Sequence, residues 1–265
     1  MVSPAPSRRQ RRLGQNFVAD PNLLDAIVRD SGLAASDVAL EFGAGAGALS
    51  ERLAAGAAHL HLVEIDRRLE PQLQALGERP GVSLHWADAL KLDLPALDPA
   101  PTIVVANLPY SVATRLILRT IEELPGVDRW TVMVQLEVAE RLRAGPGSRT
   151  YGAPSVLVQT AAEVELIRRL GPEVFTPRPR VDSALLRLRR TGSAAPPALR
   201  ELVHDAFAHR RKSLARSLEL AGPGRLDAAR TALSDLGLPQ DARAEALSPQ
   251  EFAALASKLA AARSG

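Results

Sequence analysis

Strand-like and helical segments alternate along residues 38–138 of this chain. The apolar runs are VALEF, HLHLVEID, VSLHW, TIVVAN and WTVMVQLEV, and each is typical of a buried strand. Between them lie helical segments such as ALSERLAAG, RLEPQLQALG and SVATRLILRTIEEL. Because strands separated by helices of this length form βαβ units, the order predicts an α/β fold with a parallel sheet covered on both faces.

The remaining segments predict how the chain divides into domains. Before the alternation, Asp20-Pro21 predicts the start of a helix that Gly32 ends. After it, EVELIRRL and VDSALLRLRR predict two paired strands at the end of the sheet, TGSAAPP a linker, and the rest helices. We therefore expect a flexible basic N-terminus over 1–12, an α/β domain over 13–193 and a small all-α domain over 194–265.

Composition excludes several kinds of protein. The chain has 265 residues and no cysteine, so disulfides, thiolate zinc sites and cysteine nucleophiles are impossible, and we expect no metal. The absence of cysteine fits a reducing cytoplasm, which is where we expect the protein to act. No run of eighteen apolar residues predicts a membrane span. The net charge of +3 is too small to indicate a nucleic-acid partner by itself, and we expect a monomer.

A glycine loop follows the VALEF strand and precedes a helix. Gly43, Gly45 and Gly47 let the backbone approach a ligand, and the helix N-terminus offers free N–H groups. Glu64 ends the next strand, where its carboxylate could accept hydrogen bonds from both ribose hydroxyls of a cofactor, and Asp88 ends the following one, where it could accept the adenine amine. Taken alone, the loop is also compatible with a glycine turn without a ligand or with a nicotinamide dinucleotide.

The tetrapeptide Asn107-Leu108-Pro109-Tyr110 follows the TIVVA strand. It matches the form N/D-P/L/I-P-Y/F of methyltransferases that act on amino groups conjugated to a ring. The Asn107 side-chain oxygen and the Leu108 carbonyl can accept hydrogen bonds from such an amine and free its lone pair, while Tyr110 offers a flat face for an unstacked base. Asn and Pro also form ordinary turns, so the placement after a strand of a glycine-loop fold is what favours function.

These motifs together resemble those of the ribosomal RNA adenine dimethyltransferase family, in particular its branch that modifies small-subunit RNA. The resemblance runs from about Leu13 to the C-terminus. It depends on LGQNFVAD, EFGAGAGAL, VEID, ADAL, NLPY, VFTPRPRVDSAL and HRRKSLARSL in that order. It implies a Rossmann-like fold that uses S-adenosylmethionine, with a small C-terminal helical domain. Ala44 departs from the family loop, where a proline is usual, and we expect only a slightly more flexible loop.

The resemblance also implies a role for particular residues. Gln15, Asn16 and Val18 match the segment that covers the methionine end of the cofactor. The cofactor contacts are matched by Gly43, Gly45, Glu64, Asp88 and Asn107, and the catalytic residues by Asn107, Leu108 and Tyr110. Phe175 matches an aromatic residue that helps to sandwich the target base.

Basic residues form three clusters, and phosphate binding needs such local density. The first contains Arg8, Arg9, Arg11 and Arg12; the second Arg178, Arg180, Arg187, Arg189 and Arg190; the third His209, Arg210, Arg211, Lys212 and Arg216. Any one cluster is equally compatible with a solvated surface. We take Arg178, Arg180, Arg210, Arg211 and Lys212 as the candidate RNA-binding residues.

The resemblance implies dimethylation of two adjacent adenines in the 3′-terminal hairpin of small-subunit ribosomal RNA, with a pre-ribosomal particle as the partner. One alternative is a large-subunit RNA adenine methyltransferase that confers macrolide-type antibiotic resistance. A non-catalytic RNA-binding or transcription factor on the same fold is a second, but the intact NLPY and glycine loop argue against lost activity. A nicotinamide oxidoreductase is a third, and it leaves NLPY and the basic clusters unexplained.

Overall fold

The computed structural model describes residues 16–18 and 20–264, which divide into two compact units. The first takes in Ala139 and the described residues before it, together with Val164–Arg190. The second takes in Glu140–Glu163 and the described residues from Thr191 onward. The linker predicted near residue 193 thus lies where the chain enters the helical unit for the second time. Residues 140–163 were predicted as part of the α/β domain, but they belong to the helical unit.

A seven-stranded sheet forms the framework of the first unit. The strands are β2 (Val38–Phe42), β3 (His59–Glu64), β4 (Val82–Trp86), β5 (Ile103–Asn107), β6 (Arg129–Gln135), β7 (Ala162–Leu170) and β9 (Ser183–Arg190). A separate two-stranded pairing joins β1 (Phe17–Val18) to β8 (Phe175–Thr176). The helices are α1 (Pro21–Ser31), α2 (Ala48–Gly56), α3 (Glu70–Gly77) and α4 (Ala113–Glu123), and α5 (Leu136–Arg143) follows β6.

The strand order is β4-β3-β2-β5-β6-β9-β7. Strands β2 to β6 pair in parallel, and β9 pairs antiparallel with β6. The predicted α/β class with a mainly parallel sheet is therefore confirmed, and β9 and β7 lie side by side at its end as expected. The chain order reverses between β2 and β5, which makes the gap between their carboxyl ends the usual place for a ligand in such a sheet.

Helix α1 follows the signals in its sequence. The Asp20 side chain accepts a hydrogen bond from the Asn22 N–H at 2.9 Å, Pro21 occupies the first turn, and Gly32 ends the helix with a φ of 65°. Leu23, Leu24 and Ile27 are buried against the sheet, within a core shared with leucines of α2 and α3. Caps and apolar spacing thus agree on one helix and one buried face.

The second unit is helical in the described residues. Its helices include α6 (Ala153–Ala161), α7 (Pro197–Ala208), α8 (Leu214–Ala221), α9 (Leu226–Asp235) and α10 (Pro249–Ser264). Ser248 caps α10, since its hydroxyl accepts a hydrogen bond from the Glu251 N–H and the Glu251 carboxylate accepts one from the Ser248 N–H. Among the residues described, no helix has both the length and the apolar character that crossing a membrane requires.

One boundary differs from the sequence prediction. WTVMVQLEV is not a single strand, because β6 ends at Gln135 and α5 begins at once with no proline or glycine to mark the change. The segment 198–218, in the part of the chain predicted to be helical, forms two helices. It breaks at 209–213, where Ser213 starts α8 by accepting a hydrogen bond from the Arg216 N–H.

Three histidines lie together where β3 meets β4. The Nε2–H of the buried His61 donates to the Pro99 carbonyl at 2.8 Å, and its Nδ1 accepts from His85 Nε2 at 3.1 Å. His59 packs on His61 with ring centroids 4.6 Å apart. Burial lowers the pKa of both His61 and His85, and the neighbouring histidines add to the effect. At His61 the hydrogen bond to Pro99 and, more weakly, the charge of Asp98 oppose it. The neutral form of the two histidines is therefore favoured, and in that form their hydrogen bond joins β3 to β4.

This cluster predicts acid sensitivity of the first unit. A histidine whose pKa is lowered by folding takes up protons more readily when unfolded, so stability is lost as the pH falls below about 6.5, the ordinary histidine value. The free energy of unfolding should fall between pH 7.5 and 5.5, and His85→Gln, which keeps a donor for His61 without the titration, should reduce that fall. Denaturant titrations followed by tryptophan fluorescence measure it, since Trp86 and Trp130 both lie in this unit. His204→Gln, at an exposed position, is the matched control, and an identical pH profile for His85→Gln and the parent would contradict the expectation.

Candidate active site

A cleft opens at the carboxyl ends of the central strands, at the point where the strand order reverses, and takes in about 880 Å³ including space open to solvent. Its lining contains eight of the residues that the sequence selected: Asn16, Gly43, Gly45, Glu64, Asp88, Asn107, Leu108 and Tyr110. The sheet therefore brings together side chains that are spread over almost a hundred positions of the sequence.

Two glycines of the loop have backbone angles and neighbours that leave little room for a side chain. Gly43 and Gly45 have φ angles of 74° and 58°, in the left-handed region that side chains disfavour. A Cβ at Gly45 would lie 2.6 Å from the ring of Phe17, and one at Gly43 would meet Pro109 at 3.6 Å. Glycine at position 45 is thus required twice, by the backbone angle and by the space that Phe17 takes.

Glu64 is buried and holds the loop in place. One carboxylate oxygen accepts from the Gly45 N–H at 3.0 Å, and the other accepts from the N–H groups of Ile65 and Asp66, both at 2.8 Å. A carboxylate has about four acceptor positions, so one remains for a ligand. The predicted contact with both ribose hydroxyls therefore requires Glu64 to give up one of these backbone partners, while a single hydroxyl needs no rearrangement.

Glu41 is a second buried carboxyl, in strand β2 directly before the glycine loop, and it was not among the residues selected from the sequence. Burial raises its pKa to about 8, the charge of Glu64 adds to this, and Ser50 opposes it. The Glu41 carboxyl is therefore largely protonated near neutral pH.

Asp88 lies at the end of β4 with one carboxylate oxygen engaged locally. Its Oδ1 accepts from the Leu90 N–H at 2.9 Å, and among the described residues no donor contacts Oδ2. Arg119 of α4 fixes the loop that carries Asp88, because it donates to the carbonyls of Ala89 and Leu92, both at 2.8 Å. Glu123 pairs with Arg119 and holds it in that position. Oδ2 is therefore presented to the cleft on a fixed loop.

The Asn107 side chain has a defined orientation. Its amide Nδ2 donates to the backbone carbonyl of Asn16 at 2.7 Å. A carbonyl cannot donate, so this bond fixes which end of the amide faces Asn16 and leaves Oδ1 as the acceptor on the other side. Asn107 thus leaves its Oδ1 as an acceptor for a ligand in the cleft.

Leu108 and Tyr110 complete the tetrapeptide. The Leu108 N–H donates to the Met133 carbonyl at 3.0 Å, and among the described residues no group donates to the Leu108 carbonyl. The Tyr110 hydroxyl is hydrogen-bonded to Ser183. Burial raises the pKa of Tyr110, so its hydroxyl stays protonated near neutral pH.

Two of the selected residues lie elsewhere. Val18 and Phe175 are paired across β1 and β8 and pack into the hydrophobic core, Phe175 with only 1% of its surface exposed. Phe175 therefore presents no face to a base in this structure. Since side chains alternate along a strand, Phe17 faces the cleft in the place expected for Val18. Gln15 lies outside the described residues.

The second basic cluster divides into structural and free arginines. Arg187 pairs with Glu165 and donates to the Asp30 carbonyl. Arg190 stacks over Trp130 and donates to three carbonyls around the end of α4. Arg178, Arg180 and Arg189 are exposed, and no described residue pairs with them. These three arginines match what phosphate binding requires.

The third cluster lies mainly on the turn between α7 and α8. Arg210 donates to the carbonyls of Arg149 and Tyr151 at 3.2 and 2.9 Å, so it supports the local fold as well as carrying charge. Arg211 and Lys212 are exposed, and their side chains make no hydrogen bond or ion pair in the described part of the chain. The first cluster, Arg8 to Arg12, lies outside the described residues.

A glycine loop, carboxylates at successive strand ends and an Asn-Leu-Pro-Tyr turn in one cleft define the class of methyltransferases that act on ring-conjugated amines. The sequence model of the family described as ribosomal RNA adenine dimethylase matches residues 7–261. The chain belongs to this family. The resemblance inferred from the motifs is thereby confirmed.

Individual relatives agree. The chain is 46% identical over 257 residues to the ribosomal RNA small subunit methyltransferase A of Rubrobacter xylanophilus, covering 96% of each chain. It is 41% identical to the protein of that name from Syntrophotalea carbinolica, covering 94% of this chain and 96% of the relative.

Solved structures confirm the fold. A dimethyladenosine transferase from Plasmodium falciparum has a TM-score of 0.79 at 22% identity, covering 90% of this chain and 95% of its own. The 23S rRNA methyltransferase ErmE has a TM-score of 0.68 at 25% identity, covering 92% and 100%.

The three backbone contacts of Glu64 predict a structural role. Glu64→Ala should lower the free energy of unfolding of the first unit by about 2–4 kcal/mol, because it leaves buried N–H groups without acceptors. Denaturant titration with tryptophan fluorescence measures the decrease. Glu78→Ala, at an exposed position of the same unit, should change it by less than about 0.5 kcal/mol. Equal stability of the two variants would show that Glu64 does not hold the loop.

Proposed function

We propose that this protein uses S-adenosylmethionine to dimethylate N6 of two adjacent adenines in the 3′-terminal hairpin of small-subunit ribosomal RNA. The observation that carries the proposal is the orientation of Asn107, whose Oδ1 is left as an acceptor in the cleft by the bond from Nδ2 to Asn16. We further propose that the enzyme acts as a monomer on a pre-ribosomal particle.

The cleft fits the proposed cofactor. Gly43 and Gly45 line the cleft with backbone at positive φ angles, the remaining acceptor position of Glu64 suits a ribose hydroxyl, and the free Oδ2 of Asp88 suits an adenine amine. Ile65, 47% exposed beside Glu64, offers an apolar surface to a purine ring. When bound, S-adenosylmethionine supplies an electrophilic methyl group on a sulfonium.

The chain's own residues act on the target amine. The N6 lone pair of adenine is delocalised into the ring, so the nitrogen is a poor nucleophile. Asn107 Oδ1 and the Leu108 carbonyl accept hydrogen bonds from the two N–H groups of this amine. These bonds draw the nitrogen towards tetrahedral geometry and stabilise the positive charge that develops as the N–C bond forms. One proton leaves the nitrogen for each methyl group that it receives. Asn107 is not a strong base, so its contribution is orientation and charge stabilisation.

The names of the relatives favour the small subunit as the substrate. The proteins that share 46% and 41% identity with this chain over nearly their whole length are both named small subunit methyltransferases. The large-subunit enzyme ErmE shares 25%. An RNA-binding protein without catalysis does not need the oriented amide, and a nicotinamide enzyme does not need the tetrapeptide.

Methyl transfer by Asn107 variants tests the proposal. The parent protein should transfer label from S-adenosylmethionine to undermethylated small subunits and not to large subunits, at adenines that mapping identifies. Asn107→Ala should lower the single-turnover rate by about a hundredfold to a thousandfold, since it removes an acceptor whose hydrogen bond strengthens in the transition state. Asn107→Asp keeps an acceptor oxygen but removes the donor to Asn16, so partial activity is expected.

Melting curves and cofactor titration should show that these variants still fold and bind S-adenosylmethionine. Asn22→Ala, an exposed asparagine of α1, is the matched control and should retain full activity. A near-parental rate for Asn107→Ala would reduce the tetrapeptide to a turn, and label in large subunits alone would favour the resistance-type enzyme.

The third basic cluster predicts a salt-dependent RNA interaction. Replacing both Arg211 and Lys212 with alanine should weaken RNA binding and flatten the dependence of the association constant on salt, by about 0.7–0.9 in the logarithmic slope for each phosphate that is no longer bound. Filter binding over a range of salt concentrations measures this. Arg230→Ala removes an exposed arginine of the same unit outside the cluster and should leave the slope unchanged. An unchanged slope in the double variant would remove this turn from the interface.

A further inference from the structure

The antiparallel direction of β9 brings its first residue to the edge of the sheet that holds the cleft. Ser183 pairs with Gln135, the last residue of the parallel strand β6. Asn107 pairs with Met133 on the other side of the same strand. A parallel strand in this position would bring its last residue here instead. The topology therefore places Ser183 across a single strand from the Asn-Leu-Pro-Tyr turn.

Ser183 contacts the turn through one hydrogen bond. Its Oγ lies 2.5 Å from the Tyr110 hydroxyl, and Ser183 itself has no exposed surface. Tyr110 is only half-buried and lines the cleft. One end of this tyrosine is thus fixed in the sheet, while part of its surface remains available to a ligand.

We propose that Ser183 is a positioning residue that holds the Tyr110 ring in the orientation in which it receives the target adenine. This inference rests on the proposed function. A hydrogen bond at the hydroxyl restricts rotation about the Cα–Cβ bond, because that rotation moves the far end of the ring away from Ser183. A base that stacks on a fixed ring keeps its amine within reach of Asn107 and Leu108, whereas a ring free to rotate lets the amine move away. Ser183 has no contact with the base in this scheme and acts only through Tyr110.

A double-mutant cycle tests this dependence. Ser183→Ala removes the serine hydroxyl, Tyr110→Phe removes the tyrosine hydroxyl but keeps the ring, and the double variant removes both. We expect each single variant to lower the single-turnover methylation rate by about tenfold and the double variant to be no slower than either. Cofactor affinity should be unchanged. Ser217→Ala, which removes another fully buried serine hydroxyl, should leave the rate near that of the parent.

A spectroscopic measurement reports the contact without any substrate. The chain has two tyrosines, so labelling tyrosine with ¹³C at Cζ gives two resonances, and Tyr110→Phe identifies which belongs to Tyr110. Ser183→Ala should shift the Tyr110 resonance and leave that of Tyr151 in place. Ser217→Ala should not shift the Tyr110 resonance.

The outcomes separate the two proposals. A shifted resonance together with non-additive rates supports the positioning role. Additive rate reductions, a parental rate in Ser183→Ala, or an unshifted Tyr110 resonance would overturn it while the proposed function stands. If the parent protein transfers no methyl group to adenine, the proposed function fails and this inference fails with it.

Discussion

The geometry of the cleft depends on one buried carboxylate. Glu64 joins the glycine loop after β2 to the residues that follow β3 through three backbone N–H groups. The loop needs such a partner because the N–H of the buried Gly45 has no backbone acceptor among the described residues. The raised pKa of Glu41 belongs to the same arrangement, since burial disfavours a charge on Glu41 and the neighbouring Glu64 adds to this.

Each polar group of the site is held by a bond that is independent of any ligand. Asp88 is fixed through its own loop and Arg119, Asn107 through the Asn16 carbonyl, and Tyr110 through Ser183. Every one of these bonds leaves a specific atom or face towards the cleft. Such preorganisation lowers the cost of ordering the site when a substrate binds. The Asn-Leu-Pro-Tyr turn is therefore held by the carbonyl of Asn16 on one side and by Ser183 of β9 on the other.

The sequence was sufficient for features that local signals determine. Asp20-Pro21 and Gly32 gave the limits of α1, and the strand ends gave the positions of Glu64, Asp88 and Asn107. It failed where the outcome depends on which of two adjacent residues faces inward or on a change of structure without a breaker. Phe17 rather than Val18 lines the cleft because of the pairing of β1 with β8, and Phe175 is buried for the same reason. Helix α5 follows β6 without any stop signal, and the contact of Ser183 with Tyr110 requires knowing that β9 runs antiparallel.

The placement of Ser183 has a consequence for how the protein is made. The chain emerges from the ribosome with its N-terminus first, so the glycine loop, Glu64 and the Asn-Leu-Pro-Tyr turn all emerge well before β9. Domains generally fold as units during synthesis, and here the strand that anchors Tyr110 is the last one of the sheet to appear. A nascent chain can therefore form the parallel strands and much of the cleft while this turn still lacks one support. The geometry of the cleft is in this sense a property of the finished α/β unit, acquired at the end of its synthesis rather than strand by strand.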